Sequence, residues 1–103
     1  MLEAAQKTVF LTANREREDV ARDDVLLLAL THLLEIVGEA ARNVSLASQE
    51  RYSDIPWRQI SATRNRLVHG YDEVDLTVLW DIIENNLPSL IADLEGIIAS
   101  IDD

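Results

Sequence analysis

A helical repeat of apolar residues runs through most of this chain and constrains its fold more than any other feature. Between Val25 and Leu46, apolar side chains recur every three or four residues, while Glu35 and Glu39 fall on the other side. This spacing predicts one long central helix with a single buried face. No segment of the sequence alternates apolar and polar residues for long enough to predict a strand. The sequence therefore predicts an all-α fold of four or five helices.

Shorter helical patterns flank the central one. The other predicted helices cover 2–13, 56–69, 75–86 and 88–101. The charged segment 14–24 is predicted to be a solvated turn and helix start, and the polar segment 45–54 a loop. Gly38, inside the central helix, is expected to let another helix come close. The length of 103 residues predicts one domain that spans residues 1–103.

Charge and composition exclude several classes of protein. The net charge of −10 repels polyanions from most of the surface, which argues against DNA binding through a diffuse basic patch. A disulfide framework is excluded because the chain has no Cys. The longest apolar run, Val25 to Leu30, is too short to span a bilayer, and the first residues do not resemble an export signal. We therefore expect a cytoplasmic protein without membrane contact.

One segment of eight residues reverses the charge of the chain locally. It contains the guanidiniums of Arg64 and Arg66, the amide of Asn65, the imidazole of His69 and the phenol of Tyr71. A phosphodiester site needs directed cations and a group that titrates near neutrality, and Arg and His supply them. The alternative is a helix C-terminus at which Arg and His interact with the negative end of the helix dipole. The residue types alone leave both interpretations open.

Helix geometry adds a condition to the first interpretation. On an ideal helix, Arg64 and His69 lie about 140° apart, so their spacing alone does not place them together. They converge if the helix ends near Gly70, or if a second copy of the segment faces the first across a two-fold axis. This condition is a reason to expect a dimer.

The pattern Arg64-x4-His69-Gly70-Tyr71, with Asn65 directly after the Arg, resembles the signature of the HEPN superfamily. The specific resemblance is to the HepT-like ribonuclease toxins of MNT-HEPN toxin–antitoxin pairs. Further similar segments are Gly38-Glu39-Ala40-Ala41, Pro56-Trp57 and the region of Trp80, Pro88 and Leu90. The resemblance implies an up-and-down bundle of four to five helices, a homodimer with both motifs lining one cleft, and metal-independent RNA cleavage without a cofactor.

The resemblance also implies a role for each motif residue. His69 would exchange a proton with the ribose 2'-hydroxyl or the 5'-oxygen, and Arg64 would stabilise the charge on the phosphorane. Asn65 would orient the substrate or His69, and Arg66 would support substrate binding. The substrate would be RNA such as tRNA or mRNA, and the products would be a 2',3'-cyclic phosphate and a 5'-hydroxyl. A small nucleotidyltransferase (MNT) antitoxin would transfer AMP to Tyr71 and so block the cleft.

Several alternatives remain beside this interpretation. Arg66 either contacts RNA or pairs with Asp72 or Glu73. His32 and Glu35 stand three apart, but a di-iron bundle needs paired Glu-x-x-His motifs, so we interpret His32 as a packed or surface residue. The net charge of −10 favours a second function, a non-catalytic nucleotide-binding or scaffold subunit of a nucleotidyltransferase complex, because this charge weakens RNA capture.

Overall fold

Apolar side chains at helical spacing build the framework of the molecule. The structure is a computed structural model that describes residues 1–69 and 73–101. In these two ranges the chain forms α1 (Leu2–Thr12), α2 (Arg17–Ala21), α3 (Asp24–Arg42), α4 (Leu46–Arg51), α5 (Trp57–Ser61), α6 (Thr63–Leu67), α7 (Leu76–Asp81) and α8 (Leu87–Ile101). A π-helical turn, Ile82–Asn86, joins α7 to α8, and two short strands, β1 (Val68–His69) and β2 (Glu73–Val74), pair in antiparallel register. The predicted all-α helical bundle is confirmed.

The central helix α3 forms as its periodicity predicts. Its N-terminus is capped by the Asp23 carboxylate, which accepts a hydrogen bond from the N–H of Leu26 at 3.0 Å. Leu30 and Leu34 on its apolar face are fully buried, and the helix packs against α1 and α5. It ends at Arg42, one turn earlier than the apolar pattern indicates.

Two segments that their polarity predicts to be irregular contain short helices. The predicted turn at 14–24 holds α2, in which Val20 is fully buried in the core. The predicted loop at 45–54 holds α4, whose first turn is capped by the Ser45 hydroxyl accepting from the N–H of Ser48 at 3.2 Å. The helix start predicted within 14–24 is confirmed, but the prediction of a loop at 45–54 is wrong, because one cap stabilises a short helix that has little apolar periodicity of its own.

The predicted third helix, 56–69, is divided. It breaks at Ala62, between α5 and α6, and ends at Leu67. Val68 then has an extended backbone (φ −107°, ψ 121°) and pairs with Val74. The N–H of Asp75 donates to the carbonyl of Leu67 at 2.7 Å, beside this pairing. The expectation of no strand is therefore wrong over two residue pairs, because pairing with Glu73 and Val74 replaces the last helical turn.

The C-terminal part of the chain closes the core. Asp75 caps α7, as predicted, by accepting from the N–H of Val78 at 3.1 Å. Leu79 and Leu87 are buried on either side of the π-helical turn. Pro88 lies in the first turn of α8, directly after the π-helical turn. In the described ranges, no helix combines the length and the apolar character that crossing a membrane requires.

Candidate active site

A groove of about 380 Å³ runs between α3 and the α5–α6 pair. One wall is the polar side of α3, and the other is the end of α5 with the first turn of α6. The groove is lined by His32, Glu35, Ile36, Gly38, Glu39, Arg42, Ser61, Arg64 and Asn65. Two of the predicted site residues, Arg64 and Asn65, therefore share one groove.

Arg64 and Asn65 lie in the first turn of α6, and both line this groove together with Ser61, the last residue of α5. Both Arg64 and Asn65 are exposed. Neither side chain has an ion pair or a hydrogen bond within residues 1–69 and 73–101. A guanidinium and an amide are thus available to a ligand on the same surface.

The α3 wall contributes residues for which the sequence predicted no role in the site. His32, Glu35, Glu39 and Arg42 follow one another at helical spacing and all line the groove. The interpretation of His32 as a packed or surface residue is confirmed: its side chain is exposed, and it lines the same groove as Arg64. Its periodicity with Glu39 and Arg42 was the signal that could have revealed this wall. In the part of the chain that the structure describes, no three acidic or His side chains gather closely enough to hold a metal ion.

Gly38 brings the two walls together. A Cβ at this position would lie 3.0 Å from the carbonyl oxygen of Ile60 and 3.3 Å from the Cβ of Thr63. At these distances the neighbouring atoms would have to move by a few tenths of an ångström to admit a Cβ, so the prediction that Gly38 permits close helix packing is confirmed. The close approach defines the width of the groove.

The backbone of His69 lies beyond the end of α6, in β1, where His69 pairs with Glu73. The helix has already ended at Leu67, so the 140° separation of an unbroken helix does not apply to Arg64 and His69. Gly70 and Tyr71 lie outside the described residues.

Arg66 lies away from the groove. It lines a separate cavity of about 190 Å³ between α3, α6 and α8. Asn86, in the π-helical turn, lines the same cavity, and its buried Oδ1 has no hydrogen-bond partner within the described ranges. Arg66 makes no ion pair with Glu73, the one of its two candidate acidic partners that the structure describes. Arg66 is thus on a different surface from Arg64 and Asn65.

The fold and the groove place this protein in the class of all-α bundles whose polar surface groove presents an Arg-Asn pair. A family model described as "Ribonuclease HepT-like" matches residues 1–97. The chain belongs to the HepT-like ribonuclease family.

The chain is also similar in sequence to several named proteins. The chain is 37% identical over 73 residues to "Probable ribonuclease HepT" of Thermococcus cleftensis, over 71% of this chain and 66% of that protein. It is also 37% identical over 73 residues to a protein of Caldanaerobacter subterraneus subsp. tengcongensis named "Putative RNase", over 71% of this chain and 65% of that protein. A protein of Methanocaldococcus jannaschii with the same kind of name is 28% identical over 102 residues, over 99% of this chain and 84% of that protein. The match therefore spans just under two thirds of the length of the first two relatives. No solved structure matches the chain.

Proposed function

We propose that this protein is a metal-independent endoribonuclease, formed by one domain over residues 1–103, with Arg64 and His69 as its catalytic pair. The observation that carries the proposal is the placement of Arg64 and Asn65, unpaired within the described ranges, in one groove immediately before the end of α6. Membership of a ribonuclease family supports RNA as the substrate. Because tRNA and mRNA are the expected substrates, we place its action in the cytoplasm.

The proposed reaction is an internal transfer of the phosphodiester. A ribose 2'-oxygen attacks the phosphorus, the bond from phosphorus to the 5'-oxygen breaks, and a 2',3'-cyclic phosphate and a 5'-hydroxyl result. His69 removes the 2'-hydroxyl proton or donates a proton to the 5'-oxygen. Arg64 pairs with the non-bridging oxygens as charge develops, and Asn65 orients the substrate or His69. Arg66 supports RNA binding from its own side of α6.

The test is cleavage of labelled tRNA and mRNA in EDTA by the purified protein, with the product ends mapped. We expect Arg64→Ala and His69→Ala each to lower the rate by about 10²-fold or more. Arg58→Ala is the matched control, because Arg58 is exposed on α5 and does not line the groove. Cleavage that persists unchanged in both motif variants would refute the catalytic pair.

A homodimer is part of the proposal. Val25, Leu28 and Ile36 stand on one face of α3 and expose 78%, 67% and 40% of their surface. Ile36 also lines the groove, so this apolar face continues into the proposed active site. A second copy placed on the face by a two-fold axis would bring the two grooves together. The apolar area buried in this way favours association.

We also propose that the protein is the toxin of a type II toxin–antitoxin pair and that a nucleotidyltransferase antitoxin inhibits it. The antitoxin would form a bond from the Tyr71 phenol oxygen to the α-phosphorus of ATP, with pyrophosphate as the leaving group. The added phosphate would compete with RNA for Arg64. Intact-mass spectrometry after co-expression tests the site: an AMP adduct is expected on the wild type and not on Tyr71→Phe. An adduct that persists on Tyr71→Phe would assign the modification elsewhere.

The net charge of −10 favours one second candidate, a non-catalytic nucleotide-binding or scaffold subunit of a nucleotidyltransferase complex. The same cleavage assay separates the two functions. A folded dimer, free of AMP adducts, that cuts no RNA but binds the nucleotidyltransferase would support the second candidate.

A further inference from the structure

The break between α5 and α6 is held from the opposite wall of the groove. Arg42, the last residue of α3, donates a hydrogen bond from Nη2 to the carbonyl oxygen of Ser61 at 3.2 Å. Ser61 is the last residue of α5, and Ala62 follows as the break. In one continuous helix this carbonyl would accept from the N–H of Asn65. The guanidinium of Arg42 thus supplies a donor at the point where the helical ladder is interrupted.

The Arg42 guanidinium also forms an ion pair on its own helix. Its Nη1 lies 3.8 Å from a carboxylate oxygen of Glu39, one turn earlier on α3. The ion pair is exposed, with 58% of the Arg42 side chain accessible, so it contributes little to global stability. The effect of the ion pair is on side-chain orientation, because it limits the orientations in which Nη2 of Arg42 can reach the Ser61 carbonyl.

A second contact holds the same junction beside Arg42. The hydroxyl of Thr63 donates to the carbonyl of Ile60, the carbonyl that approaches Gly38 most closely. The last two carbonyls of α5 therefore each receive a side-chain donor, one from α6 and one from α3. The direction in which α6 leaves the break is set by these contacts.

We propose that Arg42 is a positioning residue for the active site: by holding the Ser61 carbonyl, it sets the angle at which α6 presents Arg64 and Asn65 to the RNA phosphate. The proposal rests on the proposed ribonuclease function. Arg42 acts on Arg64 and Asn65 through the α5–α6 junction. All of these residues, with Ser61, line one groove. A small misorientation of a charge-stabilising group lowers the rate of the chemical step more than it lowers substrate binding.

The experiment compares Arg42→Ala, Arg42→Lys and the control Arg58→Ala in steady-state RNA cleavage at several salt concentrations. For Arg42→Ala we expect kcat to fall by about 10- to 100-fold, with KM and its salt dependence unchanged. For Arg42→Lys we expect part of the loss to be recovered, because one ammonium can reach Ser61 but cannot hold the planar, two-sided contact. The control removes the same charge from α5 and should retain the wild-type kcat.

Two results would overturn the proposal. A rise in KM with a weaker salt dependence would identify Arg42 as a direct phosphate contact, and a wild-type kcat in Arg42→Ala would show that the junction needs no support from α3. Thermal unfolding of each variant separates a loss of fold from a loss of positioning, and Arg42→Lys carries the test if Arg42→Ala unfolds. If the wild-type protein, purified as a dimer without AMP adducts, cleaves no RNA, the proposed function fails. There is then no kcat against which the Arg42 variants can be compared. A failure confined to the Arg42 variants leaves that function intact.

Discussion

At the scale of single residues, the two described glycines have opposite roles in similar helical settings. Gly38 lies in α3 with the backbone of α5 against it, whereas a Cβ at Gly96 in α8 would have no atom within 4 Å. A glycine in a helix costs about 1 kcal/mol relative to Ala. At Gly38 that cost is offset by the close packing of the two groove walls, and at Gly96 nothing in contact offsets it.

We predict that Gly38→Ala and Gly96→Ala shift stability in opposite directions. Gly38→Ala should lower the free energy of unfolding by about 1–3 kcal/mol, because the Ile60 carbonyl must move. Gly96→Ala should raise it by about 0.4–1 kcal/mol through the unfolded state. Urea unfolding of the three proteins measures both shifts. Equal stabilisation by both substitutions would show that Gly38 in α3 does not pack closely against the Ile60 carbonyl in α5.

A second prediction at the residue scale concerns the shape of the charged group of Arg64. A lysine keeps the positive charge but replaces the planar fork by a point charge. Arg64→Lys should therefore lower kcat by about 10²-fold, whereas Arg58→Lys, on the outer side of α5, should leave it unchanged. Single-turnover cleavage of a labelled RNA is the measurement. An Arg64→Lys enzyme with wild-type rate would mean that only net charge is needed in the groove.

At the scale of the secondary-structure elements, short helices depend on caps and on single buried anchors. Asp23, Ser45 and Asp75 each accept a backbone N–H at the start of a helix. The long helix α3 has its own apolar face, but α4 has no buried residue. Intrinsic propensity alone does not stabilise helices of five or six residues in water, so local polar contacts and tertiary packing decide whether they form.

The α3 cap gives a matched prediction. Asp23→Ala should lower the free energy of unfolding by about 1 kcal/mol, because the N–H of Leu26 loses its acceptor. Asp24→Ala removes the same charge one residue later, where only the helix dipole is affected, and should cost less than half as much. Thermal and urea unfolding at pH 7 compare the two variants. Equal losses would mean that charge, not the cap hydrogen bond, stabilises the start of α3.

At the scale of the whole molecule, the proposed homodimer depends on the apolar face of α3. Leu28→Asp places a carboxylate in the middle of this face and should convert the dimer to a monomer, with RNA cleavage lost if the active site needs both copies. Leu46→Asp is the control, because Leu46 is 76% exposed on α4, away from the groove. Light scattering after size exclusion measures the mass. A Leu28→Asp dimer with full activity would move the interface elsewhere.

The sequence by itself determined the parts of this protein that local spacing encodes. The 3.6-residue periodicity predicts α3, the side chain of Asp75 predicts where a helix begins, and Arg64 and Arg66 show where positive charge is concentrated. These signals are contained within one or two helical turns, so they can be recognised without knowing what packs against them.

Tertiary structure alone decided how the site is assembled. The break at Ala62, the packing of the α3 wall against α6, and the separation of Arg66 from Arg64 leave no local pattern in the sequence. Each depends on a contact between distant positions: Arg42 and Ser61 are 19 residues apart. The physical reason is that a helix ends or turns where another element supplies its missing hydrogen bonds, and the fold decides which element that is.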